Sequence, residues 1–252
     1  VAETLTISDD QCAALGRVRL LIADVDNTLV FARDRSFYRQ YSAKVEEAIA
    51  ARFFLTAAKA QEVASFYRQT YGGGELALFK GDVGVHFPDV PSHEPDVSTL
   101  YDRMITIDPA GEFEPQPGIR SRLQRLRTVG VKVVALTSSP DVLSRTILAE
   151  SGYNPDADFD AFHGYTREAG PPKILGAMAT FQNIAADFSN APHEVIAVGD
   201  MPDYDVLPAM ELGMAGCWID AANGNSDFPG ARASHIVPLL DALLVAQGDS
   251  VQ

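Results

Sequence analysis

Asp24-Val25-Asp26-Asn27-Thr28 follows directly on the apolar run Leu20-Leu21-Ile22-Ala23. Two carboxylates one residue apart at the end of a short buried strand are unfavourable unless a cation or a bound substrate compensates them. Two more apolar runs end in chemistry-bearing residues. Residues 131–136 lead into Thr137-Ser138-Ser139, and residues 195–198 into Gly199-Asp200, with Asp203 and Asp205 close behind. Between these runs, Pro171-Pro172-Lys173 puts a lysine at what reads as a helix start. Open α/β sheets hold their ligands at the carboxyl ends of their strands. The carboxylates, hydroxyls and lysine are therefore expected in one cleft, suited to a cation and an anionic group together.

The elements that would position them follow from periodicity. Residues 18–23 read as the first motif strand. Tyr41, Val45, Ile49 and Phe53 form an i, i+4 stripe that predicts a helix over 41–54. Thr56 is the expected N-cap of a second helix running to Tyr71, stopped by Gly72-Gly73-Gly74. Residues 75–113 are broken by prolines, and only a short helix near 97–104 is expected. Pro115-Gln116-Pro117-Gly118 marks a return to regular structure. Beyond it come a helix over 119–129, a strand over 131–136, and a helix over 141–151 with Ser139-Pro140 as N-cap and first helical residue. A further strand enters near 160, and a helix covers 173–186. The remainder reads as a strand over 195–198, a helix over 203–212, a strand over 215–219 and a closing helix over 236–246. Alternating strands and helices predict an α/β fold, a doubly wound parallel sheet covered on both faces.

The four chemical blocks, in this order, resemble the four motifs of the haloacid dehalogenase-like (HAD) phosphotransferase superfamily. DxDxT at 24–28 is similar to motif I, Thr137 to motif II, Lys173 to motif III, and Gly199-Asp200 with a downstream Asp to motif IV. The resemblance implies a Rossmann-like core over 1–32 and 114–252, and a smaller, mainly helical cap domain over 33–113. It also implies a Mg2+-dependent phosphomonoesterase. Asp24 would attack phosphorus to form an aspartyl-phosphate, dividing one hard step into two. Asp26 would protonate the leaving group and then activate water. Thr137 and the backbone N–H of Ser138 would hold phosphoryl oxygens, and Lys173 would neutralise Asp24 and the developing charge. The metal would be held by Asp24, Asp200, the Asp26 carbonyl and Asp205, with Asp203 expected instead to cap a helix. Tyr38 and Tyr41, close after motif I, are candidate substrate contacts from the cap. A phosphomutase of the same superfamily shares Asp24 and Asp26. A receiver-like phospho-acceptor module is the non-enzyme alternative, although such modules are about half this length.

Bulk properties bound these expectations. The chain has 252 residues, 46% of them hydrophobic, and a formal net charge of −14. An acidic chain without a basic cluster is a poor nucleic-acid binder. Arg120, Arg122, Arg125 and Arg127 interleave with Ile119, Leu123 and Leu126 at helical spacing, so they are expected on a solvated helix face. No apolar run reaches the roughly 18 residues that span a bilayer. Residues 1–16 have no basic region followed by a long apolar block, so no signal peptide is expected. Cys12 and Cys217 fit no metal or redox spacing and are expected as buried free thiols in a reducing cytoplasm. The expected partner is a small phosphorylated metabolite, which an acidic protein must meet with a local positive site. Mg2+ with Lys173 would supply one.

Overall fold

The computed structural model describes residues 4–91, 94, 96–220 and 228–249. In chain order the elements are β1 (Leu5–Thr6), α1 (Asp9–Leu15), β2 (Leu20–Ala23), α2 (Ser36–Phe53), α3 (Ala57–Tyr71), α4 (Leu76–Phe79), α5 (Val83–His86) and α6 (Ser98–Met104). They continue with α7 (Pro117–Thr128), β3 (Lys132–Pro140), α8 (Asp141–Glu150), β4 (Ala161–Tyr165), α9 (Pro172–Asp187), β5 (Val195–Gly199), α10 (Leu207–Glu211), β6 (Ala215–Ile219), β7 (Ala231–Ala233) and α11 (Ile236–Ala246). The strands form one seven-stranded sheet in the order β1-β7-β6-β5-β2-β3-β4. Every pairing is parallel except that of β1 with β7. This is the doubly wound α/β fold expected from the alternation.

Position in the sheet explains the sequence of β2. It lies between β3 and β5, and all four of its residues are buried. Alternate side chains enter separate cores. Leu21 and Ala23 join the larger cluster. Leu20 and Ile22 pack with Val134, Leu136, Phe181 and Ile184 on the other face. A strand buried on both faces must be apolar throughout, so its first polar residue, Asp24, stands at its carboxyl end.

The segment between β2 and α7 is helical, as expected. The chain leaves and re-enters the sheet side by side, because Ala32 and Phe113 form an antiparallel bridge. The Arg33 amide also donates to the Glu112 carbonyl at 2.8 Å. Within the insert α2 packs against α3 and α6. Thr56 caps α3 by accepting from the Lys59 amide, as predicted, and Gly72 ends it with φ at +90°. The apolar face of the insert is continuous with the sheet core, with Phe37, Val45, Ile49 and Tyr67 in the same cluster as Val25, Leu29 and Phe113.

Several boundaries differ from the sequence reading. Helix α2 begins at Ser36, five residues before the expected start, which brings Tyr38 and Tyr41 onto one helix. Strand β3 runs on to Pro140, shifting register against β4 between Leu136 and Pro140. Ser139 is therefore a strand residue and not the N-cap of α8, which has no side-chain cap. Asp203 does not cap a helix either: it is exposed inside a π-turn over Pro202–Val206 whose N-cap position is Met201. The arginines of α7 are tied down instead of simply solvated. Arg120 pairs with Asp158, Arg122 with Asp241, Arg125 with Asp249 and Arg127 with Asp160, at 2.6–3.0 Å. Cys217 is buried as expected, whereas Cys12 is exposed on α1. No helix among the described residues is long and apolar enough to cross a membrane.

Candidate active site

The sequence motifs converge at the carboxyl end of the sheet. Asp24 and Asp26 follow β2, Thr137, Ser138 and Ser139 lie in the last part of β3, Asp200 and Asp205 follow β5, and Lys173 opens α9. All line one cavity of about 320 Å3, closed on its other side by residues of the insert that include Tyr38, Tyr41, Arg68 and Glu75.

Lys173 is the cationic centre. It is 4% exposed, and its Nζ donates to Asp24 Oδ1 and, at 2.7 Å, to Asp205 Oδ1. Burial works against the ammonium, but Asp205 and Asp24 outweigh it and the lysine is held firmly protonated. The other oxygen of Asp205 accepts from the Met201 amide at 2.8 Å. Asp205 thus orients the lysine and braces the loop after β5. Gly199 makes room for it, because a Cβ there would collide with the Asp205 carboxylate. Gly199→Ala should consequently push Asp205 off both partners and lower stability by about 1–3 kcal/mol, read as a fall in Tm. An unchanged Tm would show that the loop gives way without loss.

Oxygens of Asp24, Asp200 and Asp205 all lie within 4.8 Å of one another. Asp24 Oδ2 is buried and has no hydrogen-bond partner. Burial raises the Asp24 pKa well above the ordinary carboxylate range, partly offset by Lys173, with repulsion from Asp205 and Asp200 adding to it. Asp200 is pushed to about 7 by burial and then by Asp205. A group of mutually repelling buried carboxylates fits a divalent cation.

Asp26 turns the other way. Its carboxylate lies outside that group and accepts from Ser139 Oγ at 2.9 Å and from Thr137 Oγ1 at 3.3 Å. Burial raises its pKa, while the Ser139 hydrogen bond opposes the shift. The Thr137 hydroxyl also accepts from the Ser139 amide at 3.0 Å, so the strand end is cross-braced. The expected residues are therefore brought together, with one division of labour: Asp24, Asp200 and Asp205 face one another, and Asp26 faces the hydroxyls.

Sequence reasoning missed Asn27, Ser139, Arg68 and Glu75. Asn27 sits in the left-handed region at φ +57°, which Asn tolerates better than most residues. Its Nδ2 donates to Asp200 Oδ2 at 3.0 Å, and its Oδ1 accepts from the Tyr38 hydroxyl at 2.6 Å. Tyr38 thus reaches the carboxylate group through one amide. Tyr41 lies against Ser139, which in turn holds Asp26. Adjacency to the first motif was the available signal for Asn27 and membership of the Thr-Ser-Ser run that for Ser139. Arg68 and Glu75 carried none.

Comparisons with known proteins agree with this geometry. A HAD phosphatase from Thermococcus onnurineus superposes with a TM-score of 0.57 at 17% identity, covering 93% of this chain and all of that one. CbbY from Rhodobacter sphaeroides, solved as a D10N variant with xylulose-(1,5)bisphosphate, gives 0.57 at 15% identity, covering 90% and 99% of the two chains. YfnB from Bacillus subtilis, described as a HAD-hydrolase bound to magnesium, gives 0.54 at 14% identity with the same coverage. These likenesses establish the fold. No curated protein matches the sequence. The model of the haloacid dehalogenase-like hydrolase family matches residues 18–213, a span that contains every motif carboxylate, the hydroxyl run and Lys173, and the chain belongs to that family.

Proposed function

We propose that the protein is a Mg2+-dependent phosphomonoesterase that works through an aspartyl-phosphate on a small phosphorylated metabolite, a sugar phosphate or a nucleoside monophosphate. The observation that carries this reading is the unpartnered, buried Oδ2 of Asp24, held beside Asp200 at the mouth of the central strand. Bound Mg2+ would supply positive charge that offsets the repulsion between the anionic nucleophile and the phosphoryl dianion. Asp24, Asp200 and the Asp26 carbonyl would hold it, with Asp205 supporting from behind Lys173.

The remaining steps belong to the chain's own groups. Lys173 fixes Asp24 through Oδ1, leaving Oδ2 as the attacking oxygen. Attack forms an Oδ2–P bond as the P–O bond to the leaving group breaks. Asp26, whose raised pKa favours the protonated form, gives its proton to the departing oxygen. The resulting carboxylate then takes a proton from the water that cleaves the aspartyl-phosphate. Thr137 and the Ser138 amide would hold phosphoryl oxygens. The insert, residues 33–113, would serve as a cap domain that closes the cavity and excludes bulk water, with Tyr38 and Tyr41 forming its wall. A phospho-acceptor signalling module has no support in this cavity or in the family match. Two unpaired cysteines accord with a reducing cytoplasm.

The test is phosphate release from a panel of phosphomonoesters by purified protein. Mg2+-dependent release from p-nitrophenyl phosphate and at least one metabolite is the expected result. A folded protein that releases no phosphate from any ester with Mg2+ present would refute the reading.

A further inference from the structure

The catalytic steps use groups on the sheet side of the cavity, and on the insert side Glu75 has no role in them. There the Gly72-Gly73-Gly74 run swings the chain from α3 to α4, and Gly72 packs so closely on the loop after β5 that a Cβ would stand 3.0 Å from Met201 Cε. The run delivers Glu75 to the cavity wall. Glu75 is placed where the charge of Asp26 reaches it and where its own charge raises the pKa of the Tyr41 and Tyr204 hydroxyls. A carboxylate directed at other carboxylates is disfavoured unless it does something there. Burial raises its pKa, its own backbone amide and Arg68 oppose that shift, and no ion pair within 4 Å is formed with Arg68. A Cβ on Gly73 would collide with the Glu75 carboxylate, so the glycine leaves room for that side chain where it lies.

The lining of the same cavity also includes the apolar or aromatic Tyr41, Val45, Leu76, Ile174 and Tyr204. A ligand seated against them meets one strong hydrogen-bond acceptor. With Asp26 as the protonated acid, the cavity wall carries four carboxylates (Asp24, Asp200, Asp205, Glu75) against two cations (Lys173, Arg68), a formal charge of −2. A divalent cation offsets one phosphoryl dianion and leaves that excess standing, so a second anionic group on the substrate would enter a negative wall.

Resting on the phosphomonoesterase reading, we propose that Glu75 determines specificity by accepting a hydrogen bond from the leaving group, and that the substrate class is a singly phosphorylated ester bearing a hydroxyl or ammonium donor and no second anion. A site that pairs an acceptor on its wall with a donor on the substrate disfavours analogues that lack the donor, because the acceptor is then left unsatisfied.

The experiment compares wild type with Glu75→Gln and Glu75→Leu, using Mg2+ and four kinds of ester. These are p-nitrophenyl phosphate, a polyol or amino-alcohol monophosphate, phosphoglycolate, and a sugar bisphosphate. Wild type should prefer the donor-bearing monophosphates over phosphoglycolate and the bisphosphate by at least tenfold in kcat/KM. Glu75→Leu should lose about ten- to a hundredfold on the donor-bearing esters, chiefly through KM, with p-nitrophenyl phosphate within threefold. Glu75→Gln, which keeps an acceptor oxygen, should fall between the two. Thermal melts confirm that each variant is folded. Equal losses on all esters, no loss on any, or a wild-type preference for phosphoglycolate or the bisphosphate would each overturn the proposal. Wild type inert even toward p-nitrophenyl phosphate would instead strike at the phosphomonoesterase reading itself.

Discussion

Asp24→Asn should leave a folded protein whose turnover has dropped by at least about a thousandfold, the scale seen when a covalent nucleophile is removed. The amide keeps the size of the side chain and can still face Lys173, but it offers no anionic oxygen to phosphorus. The structure predicts a second effect in the opposite direction. Asp24 is a buried carboxyl whose pKa is raised well above the ordinary range by burial, so its ionised form disfavours the folded state near neutral pH. Without metal, the neutral Asn should therefore match or exceed wild type in Tm. Melting curves in chelator, paired with phosphate-release assays, check both halves. Activity within tenfold of wild type would remove Asp24 as the nucleophile. Equal activity loss accompanied by a collapsed Tm would identify a structural role instead.

Removing the metal should have a comparably large effect, and one that depends on pH in a defined direction. EDTA should abolish turnover, and Ca2+ should not restore it, since calcium takes more ligands in looser geometry. The stability arm follows from Asp24, Asp26 and Asp200, all raised by burial, Asp200 to about 7. A group whose folded pKa lies above its unfolded value contributes its full stabilisation below the unfolded pKa. That contribution is lost as pH rises through the folded one. For Asp200 the window runs from the ordinary carboxylate value of 3.8 up to about 7. Metal-free protein should weaken across that window, and Mg2+ should reverse the loss by occupying the ionised form. At pH 8 and a concentration about 100 times its dissociation constant, Mg2+ should raise Tm by roughly 5–10 °C, whereas at pH 5 it should add little. Differential scanning calorimetry with and without Mg2+ at the two pH values reads this directly. A Mg2+ shift of the same size at both would show that these carboxyls are not what the ion meets.

The sequence made the sheet side of this site readable for a physical reason. A strand buried on both faces has nowhere to put a polar residue except its end, so Asp24, Thr137 and Asp200 each mark the end of an apolar run. Lys173 was readable because Pro171-Pro172 announces a helix start. Ser139-Pro140 misled for an equally physical reason. Locally the pair is a good cap and helix opening, but pairing of β3 with β4 extends the strand to Pro140 and turns the hydroxyl onto Asp26. Strands β1 and β7 span only two and three residues, too short for an alternation to register. The insert was readable as helical from its i, i+4 stripe and its Thr56 cap. Of its cavity-lining residues, Tyr38 and Tyr41 were readable from their place after the first motif, but Arg68 and Glu75 were not. Glu75 sits in a turn after three glycines, where no periodicity assigns a direction to a side chain.

The contacts of Tyr38 and Tyr41 have an evolutionary consequence. Both tyrosines stand on α2 and reach across to groups on the sheet, one through Asn27 to Asp200 and the other through Ser139 to Asp26. Any drift in the seating of α2 is therefore felt at two carboxylates at once, and selection on turnover constrains that helix even where it touches no substrate. The Gly73–Leu76 turn has no such tie to the sheet's carboxylates through a hydrogen-bonded relay. New substrate preferences can accumulate there while the chemistry stays intact, so divergence among descendants of this protein should gather in that turn and spare the first two turns of α2.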